Sequence, residues 1–387
     1  MDTKEWLLTV IRQAVLEQPG NVPDERPESF DELFRLAVRH DLAHVVSYYL
    51  DVNHIPAGGQ LAVEHRRIRR YAVYRETKQE YVKDRLFAAL QREKIEFIPL
   101  KGASVRTLYP QSWMRTSCDL DVLIHEEDLE RAAAVLTTEG FTTDGVKRYH
   151  DMVFLYQDVR LELHYCICEN IRQLDKLLKK VWTYSERAEG VEYRQSDAFF
   201  LFHHLAHMCY HFNQGGCGVR SFIDLYLLRK AGCPESELQP MLDSCGLRTF
   251  YEQACAMTAV WFEGQPHTEV TAALESYILN GGVFGSDPNF YAVQSNRRMG
   301  RFRFLFRKVF PPLCDMKTMY PVLRKSGWAL LLLPALYLHR LYVKLIGRER
   351  YRGRKAIHDY KSMGAQDHKV ISSAGSLMKS LGLSWLL

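Results

Sequence analysis

Two short stretches of strict alternation constrain the fold of this 387-residue chain more than any other feature. The first is Asp119-Leu120-Asp121-Val122, and the second, forty residues on, is Val159-Arg160-Leu161-Glu162-Leu163-His164-Tyr165. A strand sends successive side chains to opposite faces. Leu120 and Val122 therefore point into a core while Asp119 and Asp121 leave the other face together. In the second stretch Val159, Leu161, Leu163 and Tyr165 share one face, and Arg160, Glu162 and His164 share the other. On a neighbouring strand, Glu162 would complete a three-carboxylate cluster. Like charges at this spacing repel unless a cation lies between them, and hard oxygen ligands suit magnesium bound jointly with substrate phosphates. An ordinary solvated strand edge would show the same alternation.

The segment upstream favours a site over an edge. Phe97-Ile98-Pro99-Leu100 reads as a short buried strand, Lys101-Gly102-Ala103-Ser104 as a turn, and Val105 to Tyr109 as the opening of a helix. A glycine at a strand-to-helix turn lets backbone N–H groups approach a phosphate, and Lys101 or Ser104 would add a charge or a hydroxyl contact.

Strand, small-residue turn, helix, an acid pair on the next strand and a third acid on a later one resemble the DNA polymerase β-type nucleotidyltransferase superfamily. Within it, the Leu-Lys-Gly turn, the Leu108-Tyr109-Pro110 triplet, Arg115 ahead of the acid pair and Glu162-Leu163-His164 are similar to the bacterial, largely uncharacterised nucleotidyltransferase family. Segments at residues 203–224 and 310–321 extend the resemblance. It implies that Gly102 and Ser104 form the phosphate turn, that Asp119, Asp121 and Glu162 hold metal, and that His164, His207, Arg220 and Asp224 face the nucleotide. The chain departs from the pattern at Ala103, where the family has Gly or Ser. Its longer gap from Gly102 to Asp119 reads as an inserted loop, Pro110 to Cys118, from which Arg115 would reach a triphosphate.

The implied reaction uses two magnesium ions and a nucleoside triphosphate, with ATP the favoured donor. An acceptor hydroxyl, which Glu162 could help deprotonate, attacks the α-phosphate and pyrophosphate leaves, with Asp119, Asp121 and Glu162 as the catalytic acids. The acceptor stays open among a protein, an RNA and a small molecule. The competing reading keeps the fold and the acids in a non-catalytic nucleotide-binding or scaffold module.

Around this core the expected fold class is α+β: a small mixed β-sheet nucleotidyltransferase core at 95–190, flanked by an N-terminal helical region at 1–94 and a C-terminal helical region at 191–387. Helical spacing at Trp6, Leu7, Val10 and Ile11, at Leu33, Leu36 and Ala37 behind the N-cap Ser29, and along a long segment from about Gln60 to Lys94 supports the first region. The basic run Arg66-Arg67-Ile68-Arg69-Arg70 reads as the wet face of that long helix. Strands are expected near 96–100, 119–124, 141–147, 152–157 and 159–166, with a helix at 126–139.

The second helical region opens on an apolar helix carrying His203, His207 and His211 at i, i+4 and i+8, which line one face. HxxxH is a way to present two metal ligands, but no Glu sits inside the repeat as a zinc protease requires. Arg220 and Asp224, one turn apart on the next helix, could bridge each other. Further on, Arg297, Arg298, Arg301, Arg303, Arg307 and Lys308 interleave with Phe302, Phe304, Phe306 and Phe310. The run Trp328 to Ile346 is the most apolar in the chain but is interrupted by Pro334, His339, Arg340 and Lys344. The basic aromatic run could clamp phosphates and stack bases or lie on an anionic membrane surface, and the apolar run reads as a buried or interfacial helix, so residues 296–346 offer possible peripheral membrane contact rather than a span. The net charge of +5 does not imply a nucleic-acid protein, and there is no DNA-binding motif. Nine cysteines without zinc spacing, and an amphipathic rather than continuously apolar start, point to free thiols in the cytoplasm.

Overall fold

In the computed structural model the alternating stretches form the centre of one mixed sheet. The structure describes residues 1–57, 61–296, 306, 310, 311, 313, 316, 320, 322–325, 327–346, 358, 361, 362 and 368–387. Among these, the strands are β1 (Phe97–Pro99), β2 (Asp119–Ile124), β3 (Thr142–Thr143), β4 (Asp151–Tyr156), β5 (Val159–His164), β6 (Ser185–Glu189) and β7 (Glu192–Gln195). Their order in the sheet is β3-β4-β5-β2-β1-β7-β6. β2 runs parallel to β5 and antiparallel to β1, while β4 and β5 form the expected antiparallel hairpin. The β2–β5 register pairs Asp119 with Arg160 and Asp121 with Glu162, so the two polar faces coincide.

The sheet runs further than the alternation predicts. The β6–β7 hairpin joins it through a parallel pairing of β7 with β1, although its sequence SERAEGVEYRQ carries no apolar alternation. β3, by contrast, spans only two residues of the expected 141–147.

The helices explain why one face is dry and the other is not. The leading ones are α1 (Thr3–Val10), α2 (Phe30–Arg39), α3 (Ala43–Val52) and α4 (Leu61–Arg92). The Ser29 hydroxyl caps α2 by accepting from the Glu32 N–H at 3.3 Å. α5 (Gly102–Val105) and α6 (Leu129–Thr138) follow β1 and β2. Val82, Leu86 and Leu90, one turn apart along α4, pack with Leu129, Ala132 and Leu136 of α6 against Leu120, Val122, Leu161 and Leu163. Together they seal the apolar face of the sheet. The basic run on α4 is largely exposed, and Arg69 pairs with Asp51 at 2.9 Å.

The acids occupy the opposite face, towards a second group of helices. After α7 (Arg172–Leu178) these are α8 (Asp197–Asn213), α9 (Val219–Lys230), α10 (Glu235–Cys245), α11 (Arg248–Glu263) and α12 (Glu269–Leu279). α8 is apolar nearly all round: Phe199, Leu201, Phe202, Leu205, Met208 and Phe212 are fully buried.

Packing divides the chain into two compact units, one of residues 1–212 and 216–285 and one of 213–215 and 286–387. All the elements named so far belong to the first, apart from Asn213 at the end of α8. In the second, α13 (Asp287–Asn296) packs on the helix His368–Ser380, and a further helix spans Leu333–Leu345. Most of the basic aromatic segment, Arg297 to Leu305 and Arg307 to Val309, lies outside the described residues. No helix among the described residues is long and apolar enough to cross a membrane.

Candidate active site

The turn after β1 brings a lysine to the acids. Lys101 adopts φ +38° and ψ −105°, a conformation that side-chain-bearing residues rarely hold. Its ammonium makes no ion pair within 4 Å among the described residues, yet Glu169, Asp121, Asp119 and Glu162 all act on it. Burial alone would lower its pKa, but the four carboxylates outweigh burial and raise it. Lys101 is therefore a charged group held among acids without being committed to one.

Across from it, Asp121 Oδ1 lies 3.2 Å from His164 Nε2, and Glu162 Oε2 lies 3.6 Å from the same nitrogen. One ligand atom each from Asp121, Glu162 and His164 falls within 4.8 Å of the others, a spacing that a single cation spans. Arg160 donates twice to Glu162 Oε1, at 2.9 and 2.7 Å. The stacked His150 ring, 5.5 Å away centroid to centroid, helps fix the plane of His164. Asp119 shares the face but lies outside that trio. Burial, then repulsion from Asp121 and Glu162, pushes its carboxyl up to about 6. Asp121 goes the other way: burial would raise it, but the His164 hydrogen bond and charge, with Lys101, hold it at about 2. Two carboxylates two strand positions apart are thus shifted in opposite directions, and a divalent cation would relieve the repulsion on Asp119. The donor set, three carboxylates and one imidazole, fits such an ion.

Glu169 is a fourth acid that the alternation does not reveal, because it sits in the loop between β5 and α7. Its side chain is 6% exposed and accepts a hydrogen bond from His207 Nδ1 at 2.9 Å. His207 Nε2 in turn lies 3.0 Å from His211 Nε2. His203, fully buried, faces Gln195 Oε1 at 3.3 Å through Nδ1, and burial keeps it neutral, with its pKa down at about 3. The histidine ridge therefore lines one helix face, as its spacing implies. Among the described residues its members do not converge as a metal-binding trio.

Arg220 and Asp224 do not bridge each other. Asp224, 1% exposed, accepts from Arg115 Nη2 at 3.0 Å and from the Tyr109 hydroxyl at 2.6 Å. Arg220 pairs with Asp41, before α3, and donates to the Thr116 carbonyl at 3.1 Å. Gly102 packs against this network: a Cβ there would lie 3.2 Å from Arg115 Nη1 and 3.3 Å from Ser117 Cβ. Asp41 and Tyr109 completed the network unseen by any spacing rule, since they come from loops far apart in sequence.

Two neighbouring cavities share Lys101, His203 and His207. One of about 180 Å³ is lined by Glu162, His164, Glu169 and Tyr210, and the other, of about 80 Å³, by His211, Arg220, Asp224 and Phe284. Arg115 lines the smaller one. Ser104 lines neither; it faces a third cavity with Thr107, Leu108 and Gln195.

Neither the curated proteins nor the solved structures contain a match to this chain. The family comparison does: a profile described as uncharacterised nucleotidyltransferase matches residues 26–263, from just before α2 to the end of α11. That stretch includes the whole sheet, all four acids and the histidine ridge, and exceeds half of the chain, which belongs to the uncharacterised nucleotidyltransferase family.

Proposed function

We propose that the protein is a magnesium-dependent nucleotidyltransferase that moves a nucleoside monophosphate from a triphosphate to an acceptor hydroxyl with release of pyrophosphate. The observation that carries this reading is the β2–β5 register, which sets Asp121 beside Glu162 with Asp119 on the same face. Asp119, Asp121 and Glu162 would hold the metal, with His164 orienting Asp121. Bound there, magnesium supplies charge neutralisation for the triphosphate. Among the described residues Lys101 has no partner within ion-pair distance, which leaves its charge available to a phosphate oxygen. Catalysis of this kind is mostly positioning and electrostatics, consistent with a site whose cysteines Cys166 and Cys168 are held protonated by burial.

The test is incubation with each of the four α-phosphate-labelled triphosphates and magnesium, with and without cell extract, beside the Asp119→Ala/Asp121→Ala double variant. Label moving onto protein, RNA or a small molecule in the wild type alone supports transfer and identifies the acceptor class. Triphosphate binding without transfer under any condition moves the reading to a nucleotide-binding module. We place the reaction in the cytoplasm, where the eight described cysteines, all free thiols, stay reduced.

We also infer that the second unit meets an anionic lipid surface. Trp328 is 82% exposed, and Leu331, Leu338 and Ile346 on the segment Gly327–Ile346 are exposed as well. Between residues 297 and 355 the sequence carries sixteen Lys and Arg against two Asp and Glu, while the rest of the chain is net negative. Exposed apolar side chains among excess positive charge fit an anionic bilayer better than a nucleic acid, which offers nothing for aliphatic groups to enter. Co-sedimentation with phosphatidylserine vesicles, but not with neutral ones, is expected, and Trp328→Ser with Leu331→Ser should weaken it. Equal binding by that variant, or displacement by RNA instead of vesicles, would overturn the inference.

A further inference from the structure

We propose that Glu169, His207 and His211 form a proton relay that takes up the proton of the acceptor hydroxyl. The inference rests on the transfer reading above and assigns a step that reading leaves open.

With His207 neutral, the hydrogen bonds allow one order of protons. A carboxylate only accepts, so His207 Nδ1 carries the proton that it donates to Glu169 at 2.9 Å. Neutral His207 then has a lone pair on Nε2. The nitrogen facing it at 3.0 Å, His211 Nε2, must be the donor of that pair. His211 is left with an unprotonated Nδ1, for which the described residues provide no hydrogen-bond partner, and its ring lines the smaller cavity beside Lys101, Arg220 and Phe284. A chain of two donated protons thus starts at a buried carboxylate and ends on a free lone pair at a cavity wall.

The surroundings decide where an added proton settles. Burial, then any charge on the adjoining His207 ring, and Lys101 and Arg220, on the β1–α5 turn and α9, hold His211 down at about 3, with Glu169 pulling the other way. His211 cannot keep a proton there. Passed one ring inward, the charge sits on His207 against Glu169, a carboxylate that His207, Lys101 and His203 keep ionised despite its burial. The strand acids are less suited to the task, because Arg160 occupies Glu162 and His164 occupies Asp121.

In the step itself the acceptor oxygen bonds to the α-phosphorus while its proton goes to His211 Nδ1. The Nε2 proton of His211 passes to His207 Nε2. The bond from the α-phosphorus to the bridging oxygen breaks, and pyrophosphate leaves with the electron pair. His207, now an imidazolium beside Glu169, returns its proton to solvent through His211 after the products depart. His211 is the catalytic residue; His207 and Glu169 act through it. Phe284, 5.7 Å from the His211 ring, would cover this end of the relay and limit exchange with water.

The experiment uses the full chain, α-labelled triphosphate, magnesium and the cell extract that supplies the acceptor. His211→Ala, at a half-buried position, should lower transfer about 100-fold or more at saturating triphosphate. Binding of a fluorescent triphosphate should stay within about twofold of the wild type. Exogenous imidazole should restore part of the lost rate, which it could not do for a residue that merely holds the fold. Glu169→Gln should lower kcat without changing triphosphate affinity, and thermal unfolding of each variant separates a lost relay from a lost structure. A wild type that transfers label while folded His211→Ala stays within about threefold overturns the relay and spares the transfer reading; so does a loss that imidazole fails to restore. A wild type that moves no label to any acceptor overturns both.

Discussion

Two charged clusters lie within the same unit, and they are built on opposite terms. Around Asp224 every charge has an answer: Arg115 and Tyr109 bind its two oxygens, Arg220 pairs with Asp41, and Thr116 bonds to Asp41 through its hydroxyl at 2.5 Å and to Arg220 through its carbonyl. On the sheet face, Asp119, Asp121, Glu162 and nearby Glu169 outnumber the one lysine that faces them all, and Asp119 is left with a carboxyl raised to about 6. A compensated buried cluster holds elements in place. An under-compensated one stores unfavourable energy that a cation and an anionic substrate can release. The sequence marks both as site residues; the structure distinguishes them by how their charges are balanced.

The largest expected effect tests the under-compensated side. Asp119→Ala with Asp121→Ala should lower magnesium-dependent transfer at least about 1000-fold, since it removes the anchor of the transition-state charge. The single variant Asp119→Ala should melt at or above the wild type measured without divalent ions, because its carboxyl is the one that burial and repulsion raise to about 6. A variant that melts well below the wild type would show that the acids support the fold and would erase the contrast.

The compensated side should respond in the opposite currency. Arg115→Ala leaves the Asp224 carboxylate buried with only the Tyr109 hydroxyl hydrogen-bonded to it among the described residues, and breaking such a pair costs about 3–5 kcal/mol. Urea unfolding should show that loss with the m-value unchanged. If stability holds and triphosphate affinity collapses instead, Arg115 is serving the phosphate role its place in the loop suggests.

Acid titration separates the two clusters without mutation. Asp119 has a folded pKa raised from 3.8 to about 6, so a bound cation must displace its proton below that pH. The gain in melting temperature on adding magnesium should therefore fade as pH drops from 7 to 5. Asp224 has its pKa depressed below 3.8: burial opposes this, but Arg115, His204 and Arg220 prevail. Its contribution is present above 3.8 and is lost only as pH falls through the folded value. Buried His40, lowered from 6.5 to about 4, adds a slope shared by both states of the metal site, about 1.4 kcal/mol per pH unit between those values. A magnesium shift that persists unchanged at pH 5 would remove Asp119 from the metal set.

What could be read in advance follows the physics of each element. Asp119, Asp121 and Glu162 were legible because a half-buried strand writes its two faces into a period of two, and the parallel pairing of β2 with β5 then needed only adjacency. The α4 helix was legible from its length and from the apolar positions Ala72, Leu86 and Leu90, all buried, although Tyr81 in the same pattern is exposed. The β6–β7 hairpin was not, since β6 is a sheet edge with most of its residues exposed and so shows no apolar face to read. The histidine ridge announced its face but not its partners. Glu169, Asp41 and Gln195 come from a loop, a helix junction and a strand end, and only tertiary packing selects them.

Gly102 is where the two clusters touch, and it carries the smallest and most discriminating effect. Its sequence suggests a phosphate cradle, yet the space a Cβ would need is limited by Arg115 Nη1 and Ser117 Cβ, both on the compensated side. Gly102→Ala gains about 1 kcal/mol of helix preference at the start of α5. Against that, contacts of 3.2 and 3.3 Å force the Arg115 fork or the Ser117 side chain to yield by a few tenths of an ångström. Arg115 is tied to Asp224 and Ser117 donates to the Asp119 carbonyl at 2.6 Å, so neither yields freely and the two effects nearly cancel. The expected outcome is a stability change within about 1 kcal/mol by urea unfolding and a triphosphate affinity within about twofold of the wild type. A tenfold loss of affinity at unchanged stability would return the glycine to the phosphate. It would also show that the boundary between the two clusters runs through Arg115 and not beside it.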